Sequence, residues 1–383
     1  MLSLADTMHN MKIVADHKIP FLSGAFESTA DMIYMPGKSI SRNDIADADA
    51  LIIRTRTNCN SELLSGTNIR CIASATIGYD HIDTDYCETH NIYWTNAPGC
   101  NANSVKQYIA SALACIIQQE KKCFSELTIG IIGAGHVGSR VEAMAKSLGI
   151  NTLVNDPPRE RKEGAKGFVD LDTLISQSDV ITLHVPLTLK GINKTFHMAN
   201  EAFFTKMKPD SWFINTSRGE VTDTKSLVEV LKNKQLAGAM IDVWENEPHI
   251  SIELLQHATL ATPHIAGYSL DGKANGTAMS VRAVSRYFKL GKDHWSPESI
   301  QEPEQADIYV NLEDKTPEQI FCQMALHTYN IKQDSDKLRS APETFEKQRE
   351  DYPVRREPPA FTVHLDQTHE PSTLIAKTLG FNF

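Results

Sequence analysis

Short apolar runs at 12–15, 50–53, 71–75 and 92–94, separated by helix-compatible stretches, set the pattern of the first hundred residues. Buried parallel strands read as continuous apolar runs and each crossover needs a helix, so this rhythm predicts a first α/β unit around a parallel sheet. Pro98 and Gly99 break the pattern, and residues 101–119 then carry apolar side chains at helical spacing, which predicts a helix connecting two domains. A stronger alternation begins at Leu127, with strands LTIGII, NTLVN, DVITLHV, SWFINTS, AGAMID and ATLAT separated by helical stretches. It predicts a doubly wound sheet. After Pro263 a helix over 270–290 is long enough to return the chain to the first unit. Beyond Gly291 the composition shifts to Pro, Glu, Gln and Asp, then recovers strand character in IYVNL and FTVHL, with helices over 317–331 and 372–379. The expected fold class is α/β, with two Rossmann-like domains and a small C-terminal α+β domain.

Composition narrows the function classes. At 383 residues the chain exceeds what one hydrophobic core usually supports. Apolar residues at 41% and charged residues at 22% are ordinary for a globular protein and argue against a disordered or fibrous chain. The net charge of −10 comes with no long basic block, so nothing supplies the phosphate-neutralising surface that nucleic acids need. Seven scattered cysteines include no C-x-x-C pair, which argues against zinc or dithiol chemistry and for a reducing cytoplasm. No metal site is expected. The most apolar run, 108–117, is about half the ~20 residues a membrane span requires. Residues 1–10, MLSLADTMHN, lack the features of a signal peptide and are expected to be a disordered extension.

The segment TIGIIGAGHVGSR places Gly133, Gly135 and Gly138 in G-x-G-x-x-G order, after an apolar strand and opening a helix. Gly133 would allow the tight turn, Gly135 would let the backbone approach a pyrophosphate, and Gly138 would let helix and strand pack closely. His136 and Val137, inside the motif, are candidates for the same contact. A glycine triplet alone is weak evidence. Here the next strand, NTLVND, ends in Asp156, eighteen positions after Gly138, where a carboxylate would accept hydrogen bonds from the adenosine ribose. That carboxylate would repel a 2′-phosphate, so NAD is favoured over NADP even with Arg159 nearby.

Three residues stand where later strands should end: Arg218 in INTSRGEVTD, Glu247 in IDVWENEPH and His264 in TPHIAGYSLDG. Ligands of a doubly wound sheet lie beyond the carboxyl ends of its strands, so the three could converge on the nicotinamide. Oxidising a 2-hydroxy acid needs a base for the hydroxyl proton and a cation for the carboxylate and incipient carbonyl. His264 suits the first role and Arg218 the second. Glu247 would hold the imidazole in one tautomer and favour its protonated form. Asp242 could accept from the nicotinamide carboxamide. Taken singly, each has a plainer reading as a surface ion-pair partner, a solvated carboxylate or a satisfied loop histidine; the set of three carries the argument.

At this set the sequence resembles the D-isomer-specific 2-hydroxyacid dehydrogenases. The blocks ADALIIRTRTNCNSELLSGT, ATIGYDHID, APGCNANSV, GHVGSR, NDPPR, DVWENEP and HIAGYSLDGKANGT narrow the likeness to the branch that oxidises a phosphorylated four-carbon acid, 4-phosphoerythronate. The resemblance implies a substrate (lid) domain over 11–100 and 268–290, an NAD-binding domain over 101–267, and a C-terminal domain over 291–383 that makes a homodimer. It implies a place in pyridoxine biosynthesis. It puts Thr55, Thr76 and Tyr268 at a phosphorylated hydroxy-acid substrate, and Asp156, Asp242 and Gly267 at NAD. Where the branch commonly has Thr near the cofactor, TLHVPL has Val185; a backbone contact would survive that change, a hydroxyl contact would not. Arg54, beside Thr55, is the candidate cation for the substrate phosphate. Arg355 and Arg356, in YPVRRE, could serve a partner's site. A phosphoglycerate dehydrogenase remains the alternative enzyme, and a non-enzymatic NAD sensor the alternative of another class.

Overall fold

The computed structural model describes residues 11–366 and 369–383. The expectation for residues 1–10 lies outside the described residues. The chain divides into two compact units, 1–101 with 270–301 and 102–269 with 302–383.

In the first unit, β1 (Lys12–Asp16), β2 (Asp31–Met35), β3 (Ala50–Ile53), β4 (Cys71–Ser74) and β5 (Tyr93–Thr95) form one parallel sheet in the order β2-β1-β3-β4-β5. Every residue of β3 and β4 is buried, as strands covered on both faces should be. The order reverses between β1 and β3, and Asp16 and Arg54 sit at the carboxyl ends of those two strands.

The second unit is built on β6 (Thr128–Ile132), β7 (Asn151–Asn155), β8 (Val180–Leu183), β9 (Trp212–Asn215), β10 (Gly238–Ile241) and β11 (Leu260–Ala261), all parallel in the order β11-β10-β9-β8-β6-β7. This is the predicted doubly wound architecture. Its switch point falls between β6 and β8. Register aligns Asn215 with Ile241 and Ile241 with Ala261, so the chain leaves β9, β10 and β11 at one level.

The helix predicted over 101–119 runs over Ala102–Glu120 and is a core element of this unit, with 14 of its 19 residues buried. A helix apolar on all sides belongs inside a protein, and its few polar side chains must find partners there. Ser104 Oγ donates to Ala266 O at 3.0 Å, Gln107 Nε2 to Arg356 O at 2.9 Å and Ser111 Oγ to Tyr329 O at 2.7 Å, and Gln107 Oε1 alone of these side chains' polar atoms has no partner among the described residues. Residues 302–383 add the parallel pair β12 (Asp307–Val310) and β13 (Thr362–Leu365) with helices Pro317–Thr328, Ile331–Ser340 and Glu370–Leu379. Ile320, Phe321, Met324, Val363 and Ile375 join the core of helix Ala102–Glu120. The helix predicted over 317–331 is two helices, because Tyr329 is extended and Asn330 caps the next helix, its side chain accepting from Lys332 N.

Among the described residues no helix is long and apolar enough to cross a membrane, and no cluster of ligands is suited to a metal.

Candidate active site

Three loops leave the carboxyl edge of the second sheet side by side. The turn after β9 carries Arg218. Asn215, the last residue of β9, organises it: its Oδ1 accepts from Ser217 N and Ser217 Oγ, and its Nδ2 donates to Arg218 O. Gly219 then lies against the peptide joining Trp244 to Glu245; a Cβ at this position would come within 2.0 Å of Trp244 C. Only glycine allows that approach, which brings the Arg218 turn onto the loop after β10.

That loop carries Glu247. Its Oε1 accepts from Trp244 N at 3.0 Å and its Oε2 meets His264 Nδ1 at 2.7 Å. Burial would raise the Glu247 carboxyl, but the charge and hydrogen bond of His264, the Trp244 N–H and the charge of Arg349 outweigh it and hold it below its ordinary value. The carboxylate is therefore an ionised acceptor, and with it on Nδ1, Nε2 of His264 is the nitrogen left to take a proton from a substrate.

His264 has a φ of 56°, in the left-handed region that costs a non-glycine residue roughly 1 kcal/mol or more. The loop after β11 is held in that shape by Asp242. Asp242 Oδ1 accepts from Thr262 Oγ1 and Ile265 N, and Oδ2 from Ala266 N, all within 2.7–3.0 Å. Its backbone oxygen accepts from His264 N. Burial pushes this carboxyl up, against the opposing pull of His264 and its three donors. Asp242, the expected acceptor for a nicotinamide carboxamide, has its side chain buried beneath the histidine loop, whose three donors leave one of a carboxylate's roughly four acceptor sites. Gly267 and Tyr268 follow on the same loop, both half-buried, with Tyr268 N donating to Ile265 O.

At the switch point the glycine loop has the geometry that a pyrophosphate needs. Gly133 has a φ of 87°, and a Cβ there would meet His184 O at 2.7 Å and Val185 Cγ1 at 2.9 Å. Val185 is thus beside the motif. A Cβ on Gly138 would lie 2.0 Å from Gly133 O, whereas a Cβ on Gly135 would meet nothing within 4 Å. Gly135 and His136 are exposed and Val137 half-buried, just ahead of helix Gly138–Ser147. Asp156 Oδ2 accepts from Ala134 N in the glycine loop, and Oδ1 from Arg159 N, capping helix Pro157–Glu163. A carboxylate has about four acceptor sites, so two remain for ribose hydroxyls. Arg159 is held between Glu163, which takes two hydrogen bonds at 2.9 and 2.7 Å, and the glycine loop, where its Nη1 donates to Ala134 O at 2.6 Å.

The first unit carries the other candidates. Arg54 Nε donates to Asp16 Oδ2 at 2.9 Å across its switch point, and Asp16 is almost wholly buried. Thr55 is exposed, and Thr76 Oγ1 lies 2.8 Å from Ser74 Oγ and donates to Gly78 O. Arg355 is buried within its own subunit, donating to Ser104 Oγ and Ala266 O, with its guanidinium over the Tyr329 ring. It supports the loop that follows His264. Sequence reading missed Arg349, whose Nη1 lies 4.0 Å from Glu247 Oε2. No local motif marks it.

Comparison with known proteins agrees with this geometry. Residues 116–266 match the family described as "D-isomer specific 2-hydroxyacid dehydrogenase, NAD binding domain", and residues 303–378 match a domain family of unknown function. The chain is 46% identical over 354 residues to an erythronate-4-phosphate dehydrogenase from Bacteroides fragilis, covering 92% of this chain and 99% of the relative. It is 40% identical to the enzyme of that name from Porphyromonas gingivalis, covering 95% and 98%. Among solved structures it is similar to a D-lactate dehydrogenase from Aquifex aeolicus complexed with NAD and lactic acid, at 27% identity and a TM-score of 0.61, covering 73% of this chain and 97% of that one.

Proposed function

This chain belongs to the erythronate-4-phosphate dehydrogenase family, and we propose that it oxidises 4-phospho-D-erythronate at C2 to 2-oxo-3-hydroxy-4-phosphobutanoate in pyridoxine biosynthesis. The single observation that carries the chemistry is the 2.7 Å pair of His264 Nδ1 and Glu247 Oε2 at the carboxyl edge of a nucleotide-binding sheet. NAD, when bound, supplies the two-electron acceptor. The residues that would hold it are those of the glycine loop, Gly133 to Gly138, with Asp156 at the ribose, Val185 beside the loop and Gly267 after the histidine turn. Asp242 shapes that turn and would offer its remaining acceptor site to the nicotinamide carboxamide.

His264 Nε2 takes the C2 hydroxyl proton, and Glu247 stabilises the imidazolium that results. Arg218 binds the carboxylate and polarises the forming carbonyl. Tyr268, and in the first unit Thr55, Thr76 and Arg54, complete the substrate-binding set that the family likeness implies. Arg54 at the first sheet's switch point is the cation proposed for the phosphate. We further propose a cytoplasmic homodimer; Tyr309, Leu374 and Phe383, apolar and more than half exposed on residues 302–383, support an interface there.

The deciding experiment is production of NADH on a panel of 2-hydroxy acids, with 4-phosphoerythronate, 3-phosphoglycerate, erythronate and lactate. The expected result is strong preference for 4-phosphoerythronate. A preference for 3-phosphoglycerate would overturn the substrate assignment, and no turnover on any of them would favour a sensor. Sedimentation of the full chain tests the dimer.

A further inference from the structure

Helix Phe345–Glu350, far along the chain from the catalytic loops, places Arg349 behind the Glu247–His264 pair. The side chain is mostly buried, 15% exposed. Its Nη1 donates to Glu346 Oε1 at 2.8 Å and lies 4.0 Å from Glu247 Oε2, the oxygen that holds His264. Its guanidinium sits 5.7 Å from the centre of the Tyr268 ring and 5.8 Å from that of Phe345. The buried Nε has no hydrogen-bond partner among the described residues. A buried cation is costly, and this one is held by the ion pair with Glu346, a hydrogen bond with Tyr268, the nearby charge of Glu247 and two ring faces. Its position beside a catalytic carboxylate has a consequence for the reaction.

We propose that Arg349 is a positioning residue that acts through Glu247: by sharing the oxygen that binds His264, it limits how strongly that carboxylate favours a proton on the imidazole. The inference rests on the reading of His264 as the base. Glu247 alone would make the imidazole easy to protonate, and a protonated imidazole cannot accept the hydroxyl proton. A fixed positive charge on the far side of the carboxylate offsets that pull and keeps the base free at lower pH. Glu346 opposes Arg349 in turn, since it competes for the same guanidinium. The other ionisable groups around the pair are Asp242 beneath the histidine loop and Tyr268 on it, with Tyr352, Asp334 and Arg355 packed beyond. Arg218 lies on the neighbouring loop. Burial would lower the Arg349 guanidinium, but Tyr268, Glu247 and Glu346 raise it above its usual value, so its charge is constant across the working range.

The test is the pH profile of kcat/KM for oxidation, together with the titration of the His264 ring by NMR in protein without cofactor or substrate. In Arg349→Gln, both the acidic limb and the ring titration should move to higher pH by on the order of one unit. Arg349→Lys, which keeps the charge, should stay near the parent. Glu346→Gln should move both to lower pH, because Arg349 is then left to Glu247. Coincident profiles for Arg349→Gln and the parent, or equal shifts in the Gln and Lys variants, would overturn the proposal and leave Arg349 a packing residue. If instead His264→Gln keeps substantial activity, the assignment of the base fails, and the ring titration in the Arg349 variants still decides the electrostatic claim by itself.

Discussion

Replacing Gly219 by alanine adds one methyl group at the place where two catalytic loops touch. The added Cβ would sit 2.0 Å from Trp244 C, 2.1 Å from Trp244 O and 2.4 Å from Glu245 N, and ordinary contact begins at 3.4 Å. Some part of the structure must therefore retreat by about 1.4 Å, the difference between 3.4 and 2.0 Å. All three obstructing atoms are backbone, so no side chain can swing aside. Two outcomes are open to the chain. Either the Arg218 turn lifts away, or the peptide at 244–245 shifts and carries Trp244 N, which binds Glu247 Oε1, with it. Both separate Arg218 from the Glu247–His264 pair. A misplacement of about 1 Å in a catalytic group costs on the order of 10²-fold in rate, equivalent to roughly 2.7 kcal/mol of barrier. Overpacking of this kind destabilises a core by about 1–3 kcal/mol, which a folded protein of this size should survive. The expected phenotype is kcat lower by about 10²-fold, with NADH affinity changed less than about threefold, because the nucleotide loop follows β6 and not β9. Steady-state kinetics, a fluorescence titration with NADH and a thermal melt measure the three quantities. A variant with kcat within about threefold of the parent would refute the idea that this close approach sets the catalytic geometry.

Four further outcomes are expected. In Glu247→Gln the acidic limb of kcat/KM for oxidation should move to lower pH, since the neutral amide no longer favours the imidazolium; a limb that stays while the rate falls would reduce Glu247 to orienting the ring. Asp242→Asn keeps one acceptor oxygen but turns an NH2 either on Ala266 N or on Thr262 Oγ1 and Ile265 N, so urea unfolding should show a loss of about 1–3 kcal/mol, and full stability would contradict the buried three-donor cage. Asp156→Ala should weaken NAD and relax rejection of NADP, because the ribose acceptor and the repelling charge disappear together; an unchanged ratio in titrations of both cofactors would make Asp156 only a helix cap. Arg54→Ala should reduce kcat/KM about tenfold more for phosphoerythronate than for erythronate, whereas equal losses would mean that Arg54 serves only as the partner of Asp16.

The sequence made the sheets legible wherever strands are buried on both faces. β3, β4, β8, β9 and β10 are four-residue strands with at most one polar residue each, and all are wholly buried. β2, DMIYM, escaped notice because it is an edge strand with an exposed or half-buried residue at every position, so no periodicity distinguishes it from the loop before it. Arg218, Glu247 and His264 could be found because each follows a recognisable strand in a local motif. The work of Asp242 could not, since its three donors come from a loop beyond the next helix and strand and only the fold brings them together. Helix Ala102–Glu120 looked like a connector for a similar reason: its spacing marks a helix, but nothing local says that the chain returns from residue 302 onward to cover its remaining face.

The parallel pair β12 and β13 joins residues that are about fifty positions apart, and Asn382, next to the last residue, closes on Phe361 and Val363. A ribosome must therefore release residues through 382 before this layer can form. The nucleotide loop and the Glu247–His264 loops are synthesised well before that moment, but the helix that delivers Arg349 lies inside the late layer. A nascent chain can thus own a cofactor site before it owns a finished base, and catalytic competence waits for a layer made after every catalytic loop.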